Sequence, residues 1–224
     1  IQSAKRVLQR RQRNHGEHSE IQTAIGALNF SLQQLQRAHT LDLIRGIEGD
    51  AAARYFGVFQ HLLTEKSGFT FGGRNRRPPR DPVNALLSFL YSVLGKDISG
   101  ALQSVGLDPQ VGFLHADRPG RDSLAQDLLE EFRAWWVDRM TLSLINRGQI
   151  RLQDFSTEAG GAVNIKPEAR KLLFQTLQAK KQEKIVHPYL QEEVEIGLLP
   201  HIQAMLLARH LRGDLAEYPP FLMR

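Results

Sequence analysis

The chain contains no cysteine. Thiolate metal centres, cysteine nucleophiles and disulfides are excluded at once, and a reducing, cytoplasmic setting is expected. No apolar run approaches the roughly 18–20 residues that a bilayer span requires. The longest, Val83 to Leu94, has the length of a buried helix, so no membrane partner is expected. No apolar segment follows the charged opening IQSAKRVLQRRQR, which therefore does not read as a secretory signal. The first residue is Ile1 rather than Met, and the expectation is a piece of a longer protein. Internal repeats and low-complexity tracts are missing too. Charge of one sign is only slightly in excess: 29 Lys and Arg face 24 Asp and Glu, a formal +5. Where the basic residues lie matters more than their sum.

What is present is apolar periodicity. Apolar residues make up 42% of 224, enough for a real core. Ile21, Ile25, Leu28, Leu32 and Leu35 recur at spacings of three and four, which predicts a helix over 17–38. A second helix is expected from Thr40 to about Leu63. Its stretch RGIEGDAAARYF carries Gly46 and Gly49, each costing about 1 kcal/mol in a helix. Close approach of another backbone or of a ligand would offset that cost. After a loop at 66–81, Asp81-Pro82 reads as an N-cap followed by proline at the first helical position. The helix it starts is expected to end near Leu94, because glycines and prolines punctuate 95–122. Asp122 or Ser123 then caps a long helix to Asn146. A small hairpin is expected within 149–165, and two further helices at 167–185 and 188–212. Pro219-Pro220 bars helix from the tail. The sum is a mainly α, multi-helix domain with at most one small β-hairpin.

One stretch, GFLHADRPGRDSLAQDLLEEFR (112–133), sets His115 in a loop before three carboxylates. On a helical wheel Leu124, Leu128, Phe132 and Trp135 share one face. Asp127 and Glu130, three apart, share another with the small residues Ser123 and Ala134. Two readings stand here. The carboxylates form a solvated acidic face favoured by the helix dipole, or they are half of a metal site. Glu48, on a small-residue face of its own helix, adds a further carboxylate. Carboxylates with one imidazole suit Mg²⁺ or Mn²⁺ better than structural zinc.

Three stretches together, LIRGIEGDAAARYFGVF (43–59), RRPPRDPVNALLSFLYSVL (76–94) and GLDPQVGFLHADRPGRDSLAQDLLEEFR (106–133), resemble the CRISPR-associated adaptation integrase in order and spacing. The HP at His187 and YPPF near the end fit as well. The resemblance implies a small N-terminal β domain, expected to be absent here, followed by a helical catalytic domain. Residues 1–16 then read as a basic linker or interdomain segment and 17–224 as the metal-dependent catalytic domain. By the same resemblance Glu48, His115 and Glu130 bind Mg²⁺ or Mn²⁺. Asp127 is a second acid near the metal, Arg133 a basic group close to it, and Asn84 a supporting residue. The neighbouring Glu131 is a rival to Glu130 as ligand.

The activity implied is that of a divalent-metal-dependent DNA endonuclease and integrase. It inserts short foreign DNA into a CRISPR array by attack of a 3′-hydroxyl on a repeat phosphodiester. Arg74, Arg76, Arg77 and Arg80 crowd a proline-stiffened loop, and with Arg118 and Arg121 are expected to meet phosphates. Phe69 and Phe71 beside them either stack on bases or anchor the loop. Lys5, Arg6, Arg10, Arg11 and Arg13 make a second basic run. Expected partners are double-stranded DNA, a second copy in a homodimer, and a small ferredoxin-like adaptation subunit. The alternatives are a non-catalytic helical DNA-binding or dimerisation module and a repair nuclease.

Overall fold

A computed structural model describes residues 1–223. It is mainly helical, with two small two-stranded antiparallel sheets among the described residues. The chain divides into two compact units, one from 1–88 and 134–166, the other from 89–133 and Pro167 onward.

The first unit begins with α1 (Gln2–His15) and α2 (Ser19–Leu35). Residues 1–16, expected as a basic linker, are thus folded. Lys, Arg and Gln are good helix formers, Val7 and Leu8 are buried, and Lys5 Nζ donates to Asn29 Oδ1 at 3.0 Å. Gly16, at φ 84°, ends α1. In α2 the buried positions Ile21, Ala24, Ile25 and Leu28 keep the expected spacing. α3 (Leu41–Gly57) starts on Thr40, whose Oγ1 accepts from Leu43 N. Ile47, Ala51 and Tyr55 form its buried row. Among the described residues, no other backbone approaches Gly46 or Gly49. Both are exposed, and a Cβ on either meets nothing within 4 Å among the described residues.

Phe69 and Phe71 are buried, settling their two readings in favour of anchoring. Phe69 packs edge-on to Phe155 and Phe71 lies against Phe56 and Phe59. α4 (Pro82–Ser104) starts as expected, with Asp81 Oδ1 accepting from Asn84 N at 2.8 Å. A widened π-type turn, Arg133–Asp138, leads into α6 (Arg139–Asn146), numbered after the short α5 of the other unit. The expected hairpin is β1 (Phe155–Thr157) and β2 (Val163–Ile165), with Ser156 opposite Asn164 and Gly161 at φ 76° in its loop.

In the second unit α4 does not stop at Leu94. Leu90, Leu94, Ile98 and Leu102 are all buried at helical spacing. Burying each stabilises by about 1.5–3 kcal/mol, against about 1 kcal/mol lost at each of Gly95 and Gly100, so the helix runs through both. At 23 residues it is long and apolar enough to cross a membrane by length and composition, and more than half of it is buried inside the protein.

α5 (Ser123–Leu129) is short, correcting the single long helix to Asn146. Glu130, Glu131 and Phe132 bond back three residues, to Asp127, Leu128 and Leu129, before the widened turn begins. α7 (Pro167–Gln182) was expected. Across the expected end of that helix and the expected first turns of the next, β3 (Lys184–Val186) pairs with β4 (Glu193–Glu195), Ile185 facing Val194. β-branched Ile185, Val186 and Val194 favour strand, and Pro188 interrupts any helix between them. α8 (Leu199–Leu211) begins only at Leu199, with Pro200 in its first turn.

Candidate functional site

The loop before α5 is organised by one carboxylate. Asp127 Oδ2 accepts from Phe113 N at 2.6 Å and Leu114 N at 3.0 Å. Its Oδ1 accepts from His115 N at 2.9 Å and His115 Nδ1 at 2.7 Å. Burial pushes the Asp127 carboxyl up, but the side-chain and backbone bonds from His115, Phe113 and Leu114 together hold it below the usual carboxylate range. An ionised carboxylate only accepts, so His115 Nδ1 is the donor, and in the neutral ring the Nε2 lone pair is left for another partner. Asp127 and Glu130 are therefore not two halves of one acidic face: Asp127 is spent on the loop.

Gly112 makes this loop possible. A Cβ there would stand 2.7 Å from His115 O, 2.8 Å from Ser123 Cβ and 3.0 Å from Asp127 Oδ2. Gly112→Ala is expected to cost about 1–3 kcal/mol through overpacking, read as a fall in urea midpoint. An unchanged midpoint would mean that the loop yields freely.

Asp122 holds the N-cap position of α5 without capping it. Its Oδ2 accepts from Ser99 Oγ at 2.7 Å and pairs with Lys96 at 3.4 Å, and the Ser99 bond leads in lowering its pKa. The first amides of α5, Leu124 N and Ala125 N, donate instead to Pro109 O.

The adjacent glutamates at the end of α5 diverge. Glu130 pairs with Arg133 Nη1, and the Arg133 guanidinium lies 4.7 Å from the centre of the Tyr91 ring. Glu131 Oε1 accepts from Tyr218 Oη at 2.7 Å. Its Oε2 accepts from Gln203 Nε2 at 2.8 Å and Phe221 N at 2.7 Å. Burial raises the Glu131 pKa in spite of those donors, and burial together with the Glu131 charge raises Tyr218. Sequence reading missed this cluster. Its signals were the HP at His187, the YPPF at 218–221 and Gln203, a polar residue in the apolar run of α8.

Gln203 in turn faces His187, which is fully buried. Tyr189 N and Leu190 N donate to His187 Nδ1, so Nε2–H donates to Gln203 Oε1 at 3.1 Å. Burial holds the His187 pKa below its ordinary 6.5, against the opposing pull of Gln203. The unfolded chain therefore takes up a proton at higher pH than the folded one. The stability that His187 contributes is complete above pH 6.5 and drains away as pH falls through the lower folded value. The melting temperature is expected to decline over that window in the wild type and to flatten in His187→Gln; parallel profiles would exclude His187 as the cause.

Glu48 is half-buried on α3 in the first unit, between exposed Gly46 and Gly49. In the same unit fully buried Asn84 shapes the basic loop. Its Oδ1 accepts from Arg74 Nη1 at 2.6 Å and Asn75 N at 3.0 Å, and its Nδ2 donates to Gly73 O at 2.8 Å. Arg74 is drawn inward, reaching Ser88 as well, while Arg76, Arg77 and Arg80 stay exposed. In the second unit Arg118 is exposed and Arg121 half-buried. Among the described residues no group of three or more His, Asp or Glu is gathered to hold a metal ion.

The family model described as CRISPR associated protein Cas1 matches residues 1–179. The CRISPR-associated endonuclease Cas1 1 of Chlorobaculum tepidum is 51% identical over 228 residues, covering 100% of this chain and 66% of the relative. The CRISPR-associated endonuclease Cas1 of Leptospira interrogans is 44% identical, covering 100% of this chain and 89% of the relative. The chain thus spans about two thirds of the first of these. Among solved structures, a casposase bound to integration product matches with TM-score 0.79 and 27% identity, over 99% of this chain and 61% of the casposase. A chain of a Cas6-RT-Cas1–Cas2 complex matches with TM-score 0.81 and 26% identity, over 98% of this chain and 24% of the other.

Proposed function

Because this chain belongs to the CRISPR-associated protein Cas1 family, we propose that it carries the catalytic part of a divalent-metal-dependent DNA endonuclease and integrase. The observation that carries the reading is the His115–Asp127 pair. A carboxylate that fixes one imidazole nitrogen and leaves the other as a lone-pair donor is the arrangement found behind metal-bound histidines. The donor set, Glu48, His115 and Glu130, fits a hard cation such as Mg²⁺ or Mn²⁺. Glu130 has to leave Arg133 to join it. Such an ion, when bound, polarises a phosphoryl oxygen and steadies the charge that develops on the leaving oxygen.

The protein's own groups do the rest. Asp127 orients His115 through Nδ1. Arg133, once released by Glu130, places a cation beside the reacting phosphate. In the reaction proposed, the 3′-oxygen of a short duplex forms a bond to phosphorus of the CRISPR repeat and its proton is lost to solvent. The bond from phosphorus to the target strand's own 3′-oxygen breaks, and that oxygen takes up a proton. Arg76, Arg77, Arg80, Arg118 and Arg121 are proposed to hold phosphates, and Arg74 and Asn84 to shape the loop that presents the first three. The casposase structure contains an integration product and the Cas6-RT-Cas1–Cas2 structure a Cas2 subunit. By extension this chain is proposed to engage duplex DNA, a second copy of itself and a Cas2-type partner.

The test is a strand-transfer and nicking assay on repeat DNA, with Mg²⁺ or Mn²⁺ and with EDTA. Nicked or joined product that vanishes with EDTA supports the reading. DNA binding without product at any divalent concentration would leave a binding module in its place.

A further inference from the structure

Between Glu130 and Arg133 stand two residues, and the C-terminal segment grips both. Glu131 is held by Tyr218 Oη and Phe221 N. The ring of Phe132 lies 5.3 Å from that of Phe221, and both rings are buried. This matters because the local backbone determines the turn poorly. Residues 130–132 bond back three residues at 3.0–3.3 Å, and the next stretch opens into a π-type turn. Mixed pitches of this kind are short-range and weak, and recur at functional sites.

The grip is itself oriented. Two backbone amides fix His187 Nδ1 as acceptor, which makes Nε2 the donor to Gln203 Oε1. That sets the Gln203 amide with its nitrogen towards Glu131 Oε2 at 2.8 Å, Tyr218 Oη at 2.7 Å and Pro219 O at 3.2 Å. Tyr218, accepting from Gln203, then spends its own proton on Glu131 Oε1. Each donor in this series has its acceptor, so only one arrangement of the strap satisfies all of them. We propose that Tyr218–Phe221 is a strap that positions Glu130 and Arg133, acting through Glu131 and Phe132, with Gln203 and His187 as its anchor. The inference rests on the reading of Glu130 as a metal ligand, and assigns the tail a place in the machinery rather than only in the core.

The experiment compares the full chain with Tyr218→Phe, which keeps the ring, and Phe221→Leu, which keeps an apolar plug. Free Mn²⁺ is titrated by electron paramagnetic resonance well below the melting temperature of each protein. Amide exchange at 130–133 is followed separately without metal. Tyr218→Phe is expected to weaken Mn²⁺ binding about ten-fold, as loss of an outer-shell support does. It should also speed exchange at 130–133 while leaving α2 unchanged. A tail that merely packs would lower the melting temperature and leave both readouts alone; that result overturns the proposal, as does faster exchange with unaltered Mn²⁺ affinity. Should the wild type take up no Mn²⁺, the ligand assignment fails by itself. The strap is then judged by exchange alone, and unchanged protection at 130–133 refutes it.

Discussion

Asp127→Ala is expected to lower affinity for Mn²⁺ by about 10–100-fold and to cost about 3 kcal/mol of stability. Four donors converge on this carboxylate: three consecutive backbone amides and the His115 ring. Its side chain is only 12% exposed, so little of that interaction is diluted by solvent. Alanine leaves the amide of Phe113 to water, but strands the half-buried donors of Leu114 and His115. It also frees the imidazole to exchange tautomers and swing, and a ligand nitrogen that must be re-oriented binds more weakly. Isothermal titration with Mn²⁺ and urea unfolding measure the two effects separately. A variant that loses stability yet keeps wild-type affinity would show that Asp127 builds the loop without serving the metal. Glu48→Ala is the contrasting control. It sits on α3, outside this hydrogen-bond cluster, and is expected to lose metal with the 112–127 loop intact.

Glu131→Ala is expected to destabilise by about 3 kcal/mol, because it orphans Tyr218 Oη and Phe221 N together, each worth about 1–3 kcal/mol when left unsatisfied. The sum is discounted because burial already penalises the Glu131 charge, as its raised pKa records. Gln203 Nε2 also keeps Tyr218 Oη and Pro219 O as acceptors. Urea unfolding decides the matter. A loss below about 1 kcal/mol, the worth of one ordinary hydrogen bond, would mean that the tail relaxes to solvent without penalty.

Much of the helical framework was legible in the sequence because helix burial is periodic. Ile21, Ile25 and Leu28 announced α2, and Asp81-Pro82 announced the start of α4. The failures have a common cause: local signals were weighed without the burial they compete with. Gly95 and Gly100 read as breaks until the buried row through Leu102 is seen to outweigh them. Ile185 and Val194 face each other across a hairpin, a pairing that no helical wheel represents. In the candidate site, spacing brought out Asp127 and Glu130, and the family resemblance added His115 and Arg133, but the traffic among them was misread. Asp127 was taken for Glu130's neighbour on one face and is His115's partner instead. The rivalry between Glu130 and Glu131 was visible in the sequence, but what engages Glu131 was not, for a different reason. What occupies Glu131 comes from residues 72 and 87 positions away, and hydrogen bonds at that range leave no period in the chain.

The widened turn Arg133–Asp138 has a bearing on how this segment tolerates changes in length. A π-type turn holds a surplus residue relative to an α-helix. One residue removed there lets the backbone close to regular spacing, and Glu130 and Asp127 keep their orientation upstream. The same deletion inside α5 would turn whatever lies on one side of it by about 100° against the other. It would carry the Asp127 carboxylate off the amides of residues 113–115. Length variation among homologous chains should accordingly collect in the wide turn and be purged from the seven residues of α5, although both stretches are helical and only three residues separate them in the chain.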